Sequence, residues 1–332
     1  MKKIFVMIPS LFDTSIQKTV EDCLLKAKYP DRITFGLSLQ GVEGCNFDNI
    51  KNEKRIILLD KNIVYGIGKT RYQLQKLYNG EEYVLSIDCH TSFDDEWDEK
   101  LISEYEEIGN QKAVISQFLL DSFSSDFKKS RYVFKKENPW AIDHDFHHPL
   151  SRIKQRSLSY NVAPHFIFAS KEFMTIDYPY MYLWGDEDPL LSIKLFCNGF
   201  DVYELEKTYM TTDAKNKKDL NNRKDWLYGP MYKSNDNFDI YFDSQNEVPE
   251  DSKPIKYFDG TTYMSDHLFY PDTKIFIKRM KEAAFLLENN FNDILKEDFR
   301  NKERSIKEYF ESNGISWDQV LLSIDRSKQL DV

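Results

Sequence analysis

The stretch Tyr83–Ile102, YVLSIDCHTSFDDEWDEKLI, decides how the whole chain is read. Tyr83-Val84-Leu85-Ser86-Ile87 is a β-branched and apolar run, the pattern of a strand buried on both faces, and it stops abruptly at Asp88-Cys89-His90. In open α/β sheets ligands bind outside the carboxyl ends of the strands, so an Asp and a His flanking one residue at such a tip can point into one crevice. Carboxylate oxygen plus imidazole suits a divalent ion, Mn2+ or Mg2+, and Mn2+ tolerates the nitrogen ligand better. Trp97-Asp98 and Lys100-Leu101-Ile102 then open an amphipathic helix.

On the amino-terminal side, Ile4 to Ile8 reads as a buried strand, Pro9-Ser10 as the turn after it, and Ser15 to Lys28 as a helix with Ile16, Val20, Cys23, Leu24 and Ala27 on one face. Ile33 to Leu39 and Ile56 to Leu59 read as further strands, and strand, helix, strand at this spacing implies parallel pairing in an α/β sheet. Gly66-Ile67-Gly68-Lys69-Thr70 suggests a phosphate-binding P-loop, but Val64 stands where the motif needs its first glycine, which excludes it. Arg71, near a helix N-terminus, can approach a diphosphate or lock the Asp88 carboxylate; a surface ion pair with Glu81 or Glu82 is the structural alternative.

On the carboxyl-terminal side, Ala113 to Phe118 is a strand, followed by a long polar and aromatic segment to Tyr160. Its run DHDFHHP holds His144, His147 and His148, which leaves a second metal site as an alternative; the spacing fits no closed zinc pattern, so an acceptor-binding or plain surface loop is the favoured reading there. Val162 to Ala169 is a strand. Gly185-Asp186-Glu187-Asp188-Pro189 leads into a helix closed by Asn198-Gly199, where the acids serve equally as first-turn helix punctuation. Val202 to Thr212 is the strand after it. Trp226 to Tyr270 reads as an insertion of short strands and loops, and Lys274 to Leu295 as a helix whose apolar stripe is packing.

The chain has 332 residues, 41% of them apolar, enough for a real core. A net charge of −10 argues against a broad phosphate-binding surface and general nucleic-acid binding. The four cysteines, Cys23, Cys45, Cys89 and Cys197, lack metal or redox spacing, which implies reduced thiols and a cytoplasmic setting. Met1-Lys2-Lys3 and the apolar run after it superficially suggest a signal peptide, but Pro9 and Asp13 cut that run short. No run approaches the ~20 apolar residues of a membrane span, so a soluble protein is expected.

The block around Asp88, His90, Phe93, Trp97 and Asp98 resembles the signature of the hydroxyproline-type polypeptide N-acetylglucosaminyltransferases, glycosyltransferase family 60, in which Asp-x-His stands in for the Asp-x-Asp of other GT-A enzymes. A second block is similar to the same family: Phe166 to Phe168, Pro179-Tyr180, Gly185-Asp186-Glu187 and Gly199-Phe200-Asp201. Arg304-Ser305-Ile306-Lys307-Glu308-Tyr309 with Gly314-Ile315 resembles its tail. The resemblance implies a GT-A fold, a Rossmann-like mixed α/β sheet, with a catalytic domain over 1–225; it leaves the middle of the chain unmatched, and the residues there read as an aromatic and polar insertion over 226–270 before a helical C-terminal segment over 271–332. It implies a UDP-sugar donor, most plausibly UDP-N-acetylglucosamine, a hydroxyl acceptor on a protein, glycan or modified nucleic acid, and retention of configuration.

By the same resemblance Asp88 and His90 hold Mn2+ or Mg2+, Pro9, Ser10, Gly66, Arg71 and Asp88 lie beside the nucleotide, and Asp186 and Glu187 hold sugar or acceptor hydroxyls. The family completes its metal site with a His after the last strand; VYELEKTYMTT has none, and Asp213 or His267 is the replacement expected here. The rival readings are a metal-dependent hydrolase or phosphotransferase and a catalytically degenerate sugar-nucleotide-binding module.

Overall fold

The computed structural model describes residues 2–61, 63–65, 67–119, 131–135, 138–145, 157–159, 161–178, 187–212, 254–257, 262–264 and 303–319. In chain order the elements are β1 (Ile4–Leu11), α1 (Ser15–Lys26), β2 (Ile33–Gln40), β3 (Lys54–Leu59), β4 (Ile63–Val64), α2 (Ile67–Gln75), β5 (Tyr83–Ile87), β6 (Thr91–Phe93), α3 (Trp97–Ile108) and β7 (Ala113–Ser116). They continue as β8 (Arg131–Lys135), β9 (Asn138–Asp145), β10 (Ser157–Ser159), β11 (Phe166–Ser170), α4 (Glu187–Cys197), β12 (Asp201–Glu204), β13 (Met210–Thr212), β14 (Pro254–Tyr257), β15 (Thr262–Met264) and α5 (Ile306–Ser312).

Eight strands form one mixed sheet in the order β10-β12-β7-β11-β5-β1-β2-β3. β3, β2, β1 and β5 run parallel, β11 lies antiparallel between β5 and β7, and β12 rejoins parallel to β7. From β1 the chain first steps outward to β2 and β3, then returns to β5 on the other side of β1. That reversal is the topological switch point, and the crevice outside the carboxyl ends of β1 and β5 is where such sheets take ligands.

Alternation along the central strands feeds two cores. Ile4, Val6 and Ile8 of β1 pack on the side of α1 and α3, with Ile16, Val20, Trp97 and Leu101, while Phe5 and Met7 pack with Leu74 of α2 and Leu191 and Leu195 of α4. All five residues of β5 are buried, as its unbroken apolar run requires. The α1 face is the expected one, with Ile16, Val20 and Cys23 buried and Leu24 and Ala27 packed at its margin.

Several boundaries differ from the sequence reading. β1 continues through Pro9 and Ser10 to Leu11, whereas those residues read as a turn. Pairing of β1 with β5 ends at Met7, so beyond it β1 has only β2 as a neighbour, and a residue without an N–H is tolerated there. The true turn is at Phe12, which has φ +49°, and its ring lies 2.2 Å from where a Cβ on Gly41 would be. Gly41, itself at φ +63°, is therefore required beside it. Val162–His165 is not strand: Phe166 N donates to Ala163 O at 2.8 Å in a tight turn around Pro164, and β11 starts only at Phe166. Val202–Thr212 is two strands, β12 in the main sheet and β13 paired with β6.

His144 belongs to β9, whose register sets it opposite Tyr132 of β8, so this part of the expected loop is a hairpin. His147, His148 and the Lys274–Leu295 helix lie outside the described residues. Of the expected insertion only β14 and β15 are described; β14 pairs parallel with β4. α5 opens with a capping box between Ser305 and Glu308. Its approach is fastened to the end of α4 by Glu303 N donating to Cys197 O at 2.9 Å, where a Cβ on Gly199 (φ +81°) would meet the Glu303 carboxylate. Among the described residues no helix is long and apolar enough to cross a membrane, and the four cysteines are free.

Candidate active site

Both sides of the switch point bring acids. β5 ends at Ile87, and Asp88 and His90 follow on its tip; β1 ends at Leu11, and Asp13 follows on its tip. Asp88 Oδ2 and His90 Nε2 face each other 3.8 Å apart. The remaining polar atom of each is held from behind. Arg71, 2% exposed, donates from its guanidinium to Asp88 Oδ1 at 2.8 Å, and His90 Nδ1 meets Asp13 Oδ2 at 3.1 Å. Arg71 therefore takes the second of its sequence-level roles, locking the Asp88 carboxylate. The surface pairings with Glu81 and Glu82 do not form: Glu81 binds Arg55 at 2.7 Å, and Glu82 accepts the Lys3 N–H at 2.6 Å.

The loop between β5 and β6 is fixed by α1. Thr19 Oγ1 sits between the carbonyls of Cys89, at 2.8 Å, and Thr91, at 3.0 Å, and accepts the Thr91 N–H at 3.1 Å. Three residues further along the helix, Asp22 accepts the Phe93 N–H at 2.7 Å. The backbone on both sides of His90 is thus held without using the side chains that face the crevice.

Burial opposes charge on the His90 imidazole, but its bond to Asp13, its contact with Cys89 and the Asp88 charge outweigh that and hold its pKa well above the ordinary value. Burial pushes the Cys89 thiol up, keeping it protonated. Asp13, Cys89 and His90 also bring three ligand-type atoms within 4.8 Å of one another. For a hard divalent ion that trio is the poorer fit: its third donor is a soft thiol, and both Asp13 oxygens already face donors, Ser15 N at 3.0 Å and His90 Nδ1. Asp88 and His90 fit a divalent ion better. They offer a hard oxygen and an imidazole nitrogen directed at one point, each steadied by a partner on its other polar atom.

Of the other residues expected at the site, Pro9 and Ser10 lie at the carboxyl end of β1, and the Ser10 hydroxyl donates to Asp13 O at 2.7 Å, shaping the turn that carries Asp13. Glu187 is the first residue of α4. Gly66, Asp186, Asp213 and His267 lie outside the described residues. The strand preceding Asp213 does return to the crevice lip: in the β13–β6 pair Thr212 is opposite Thr91, the residue after His90. Asp13 and Thr19 escaped the sequence reading. The available signal was positional, since Asp13 directly follows the first strand and so occupies the other wall of the crevice.

Residues 55–212 match the family model described as Glycosyltransferase (GlcNAc). The chain's eight-stranded sheet is mixed, with β3, β2, β1 and β5 parallel. No curated protein matches the sequence. Similar solved structures include S. aureus TarS 1–349, with a TM-score of 0.45 and 17% identity, covering 63% of this chain and 60% of that one. The same protein in complex with UDP-GlcNAc gives 0.45 and 18%, covering 63% and 58%. GalNAc-T7 with UDP, GalNAc and Mn2+ gives 0.47 and 14%, covering 64% and 44%. The chain thus spans less than two thirds of the length of these structures. The matched segment runs from β3 to β13 and includes Arg71, Asp88 and His90, while Asp13 and Thr19 reach it from β1 and α1 ahead of that segment.

Proposed function

We propose that this protein is a metal-dependent, retaining glycosyltransferase of the family 60 kind, transferring N-acetylglucosamine from UDP-N-acetylglucosamine to a hydroxyl acceptor. The observation that carries the reading is the pairing of Asp88 Oδ2 with His90 Nε2 at the switch point of a domain matching a GlcNAc glycosyltransferase model. When bound there, Mn2+ or Mg2+ supplies Lewis-acid neutralisation of the diphosphate that leaves the sugar. Asp88 and His90 hold that ion, Arg71 fixes the Asp88 carboxylate, and Pro9, Ser10 and Gly66 border the nucleotide.

Asp186 and Glu187 hold sugar or acceptor hydroxyls through bonds that strengthen as oxocarbenium charge grows. The acceptor hydroxyl attacks the face from which UDP departs, and its proton passes to the leaving phosphate. Such a step needs no protein nucleophile and preserves the configuration at the sugar.

For the third protein ligand, Asp213 is favoured over His267, because the strand just before Asp213 pairs beside His90. Replacing each by Ala and titrating Mn2+ should raise the metal requirement for Asp213 alone; unchanged curves for both would leave water in that position. The protein is read as a catalytic domain over 1–225 with an acceptor-binding insertion over 226–270.

The proposal is tested by screening UDP-sugars for turnover with and without Mn2+. UDP release from UDP-N-acetylglucosamine, stopped by chelator and restored by Mn2+, is the expected result. UDP binding without turnover of any sugar would make the chain a degenerate binding module. Metal-dependent phosphate release from other substrates would make it a hydrolase.

A further inference from the structure

We infer that Asp13 is a positioning residue that fixes the His90 ring so that Nε2, and not Nδ1, is the nitrogen presented to the metal; this rests on the metal-site reading above. A carboxylate only accepts hydrogen bonds, so at 3.1 Å from Asp13 Oδ2 the proton must sit on His90 Nδ1. In the neutral ring Nε2 then carries the lone pair, and Nε2 is the atom that faces Asp88 across 3.8 Å. A ligating imidazole whose other nitrogen is tied to a carboxylate has a fixed orientation and greater basicity.

Asp13 is built for this task by its surroundings. Its side chain is 2% exposed, and its second oxygen accepts the Ser15 N–H at 3.0 Å at the start of α1, so the carboxylate cannot swing toward the crevice without losing both partners. The Ser10 hydroxyl bonds to the Asp13 carbonyl at 2.7 Å and holds the backbone of the same residue. Thr19, one helical turn beyond Ser15, fixes the loop that carries His90. The β1–α1 corner therefore grips both the ring, through Asp13, and the backbone beneath it, through Thr19. It lies ahead of residues 55–212, so the matched segment alone lacks the carboxylate that orients its own His90.

The test measures Mn2+ binding in the presence of UDP by calorimetry for the full chain, Asp13→Ala and Asp13→Asn. Thermal unfolding confirms that each variant is folded. Asp13→Ala should weaken Mn2+ binding by about 10- to 100-fold. Asp13→Asn keeps an oxygen able to accept the Nδ1 proton and should recover part of that loss. Should Asp13→Ala fail to fold, Asp13→Asn and the ring itself decide. In wild-type protein labelled with [15N]histidine and loaded with Zn2+, His90 should show a metal-bound Nε2 and a proton-bearing Nδ1.

Unchanged Mn2+ affinity in the folded variants, or Zn2+ on Nδ1, overturns the assignment while leaving the metal site standing. Wild-type protein that binds no Mn2+ with UDP sinks the metal site, and the role of Asp13 with it.

Discussion

Two aspartates of the same stretch, Asp88 and Asp98, are both paired with a buried arginine, and they do opposite things. Asp98 is fully buried in the first turn of α3, and its carboxylate accepts from Lys28 N at 2.7 Å, Tyr29 N at 3.1 Å and Arg32 Nε at 2.8 Å, with a further Arg32 nitrogen at 2.7 Å. Every donor comes from the segment after α1, so the carboxylate ties that segment to α3 and has nothing left for a ligand. Asp88 is 32% exposed, turns one oxygen to Arg71 and directs the other toward His90. A closed ring of donors makes a structural aspartate. A carboxylate fixed by Arg71 on one side and turned toward His90 on the other suits the proposed ligand role.

The sharpest break of this contrast is expected at Asp98. Asp98→Asn sets an amide N–H2 against donors and leaves the buried Arg32 with only the partly exposed Glu99, at 3.1 Å, as a charge partner, which should cost about 3 kcal/mol of folding free energy, read by denaturant unfolding. Turnover per folded molecule should hold. Asp88→Asn should do the reverse: turnover falls at least about a hundredfold, equivalent to roughly 2.7 kcal/mol of transition-state stabilisation. Its stability loss stays near 1–2 kcal/mol, because the amide keeps an oxygen that can accept from Arg71.

Thr19→Val lies between the two. It removes the hydroxyl that spans the carbonyls around His90, at an expected cost of about 1–2 kcal/mol of stability together with weaker Mn2+ binding. Equal Mn2+ affinity in a destabilised Thr19→Val would place this contact with Asp98, as structure alone.

The smallest effect belongs to Glu82, at the amino end of β5, where the Lys3 amide holds the carboxylate below its ordinary value of 4.5. A depressed carboxylate contributes stability above its unfolded pKa and loses it as pH falls through the folded one. Glu82→Gln should therefore flatten the acid limb of the stability profile slightly and leave neutral pH nearly unchanged.

What was legible in the sequence is what repeats locally. The buried run of β5 and the Ile16-Val20-Cys23 stripe of α1 announce their burial by periodicity, and α4 is closed at Gly199 as its punctuation indicates. The Asp88–His90 pair was legible because both residues sit on one strand tip. Asp13 was not, since its partner His90 is 77 positions away and periodicity carries no information about which loops meet across a sheet. In the sequence it served only to interrupt an apolar run.

Asp98 entered the sequence reading only as part of the Trp97-Asp98 block at the start of a helix, and only the packed structure shows the donors converging on it. Pro9 misled in the other direction. A proline ordinarily ends a strand, but β5 has already left the side of β1 where an N–H would be needed.

The most direct test compares UDP-N-acetylglucosamine turnover in Mn2+ for wild type, Asp88→Asn and Asp98→Asn, each normalised to its folded fraction. Turnover is expected in wild type and preserved in Asp98→Asn, with a loss of at least about a hundredfold in Asp88→Asn. Turnover that survives in Asp88→Asn, or fails equally in both variants, would contradict the assignment of Asp88 to the chemistry and Asp98 to the fold.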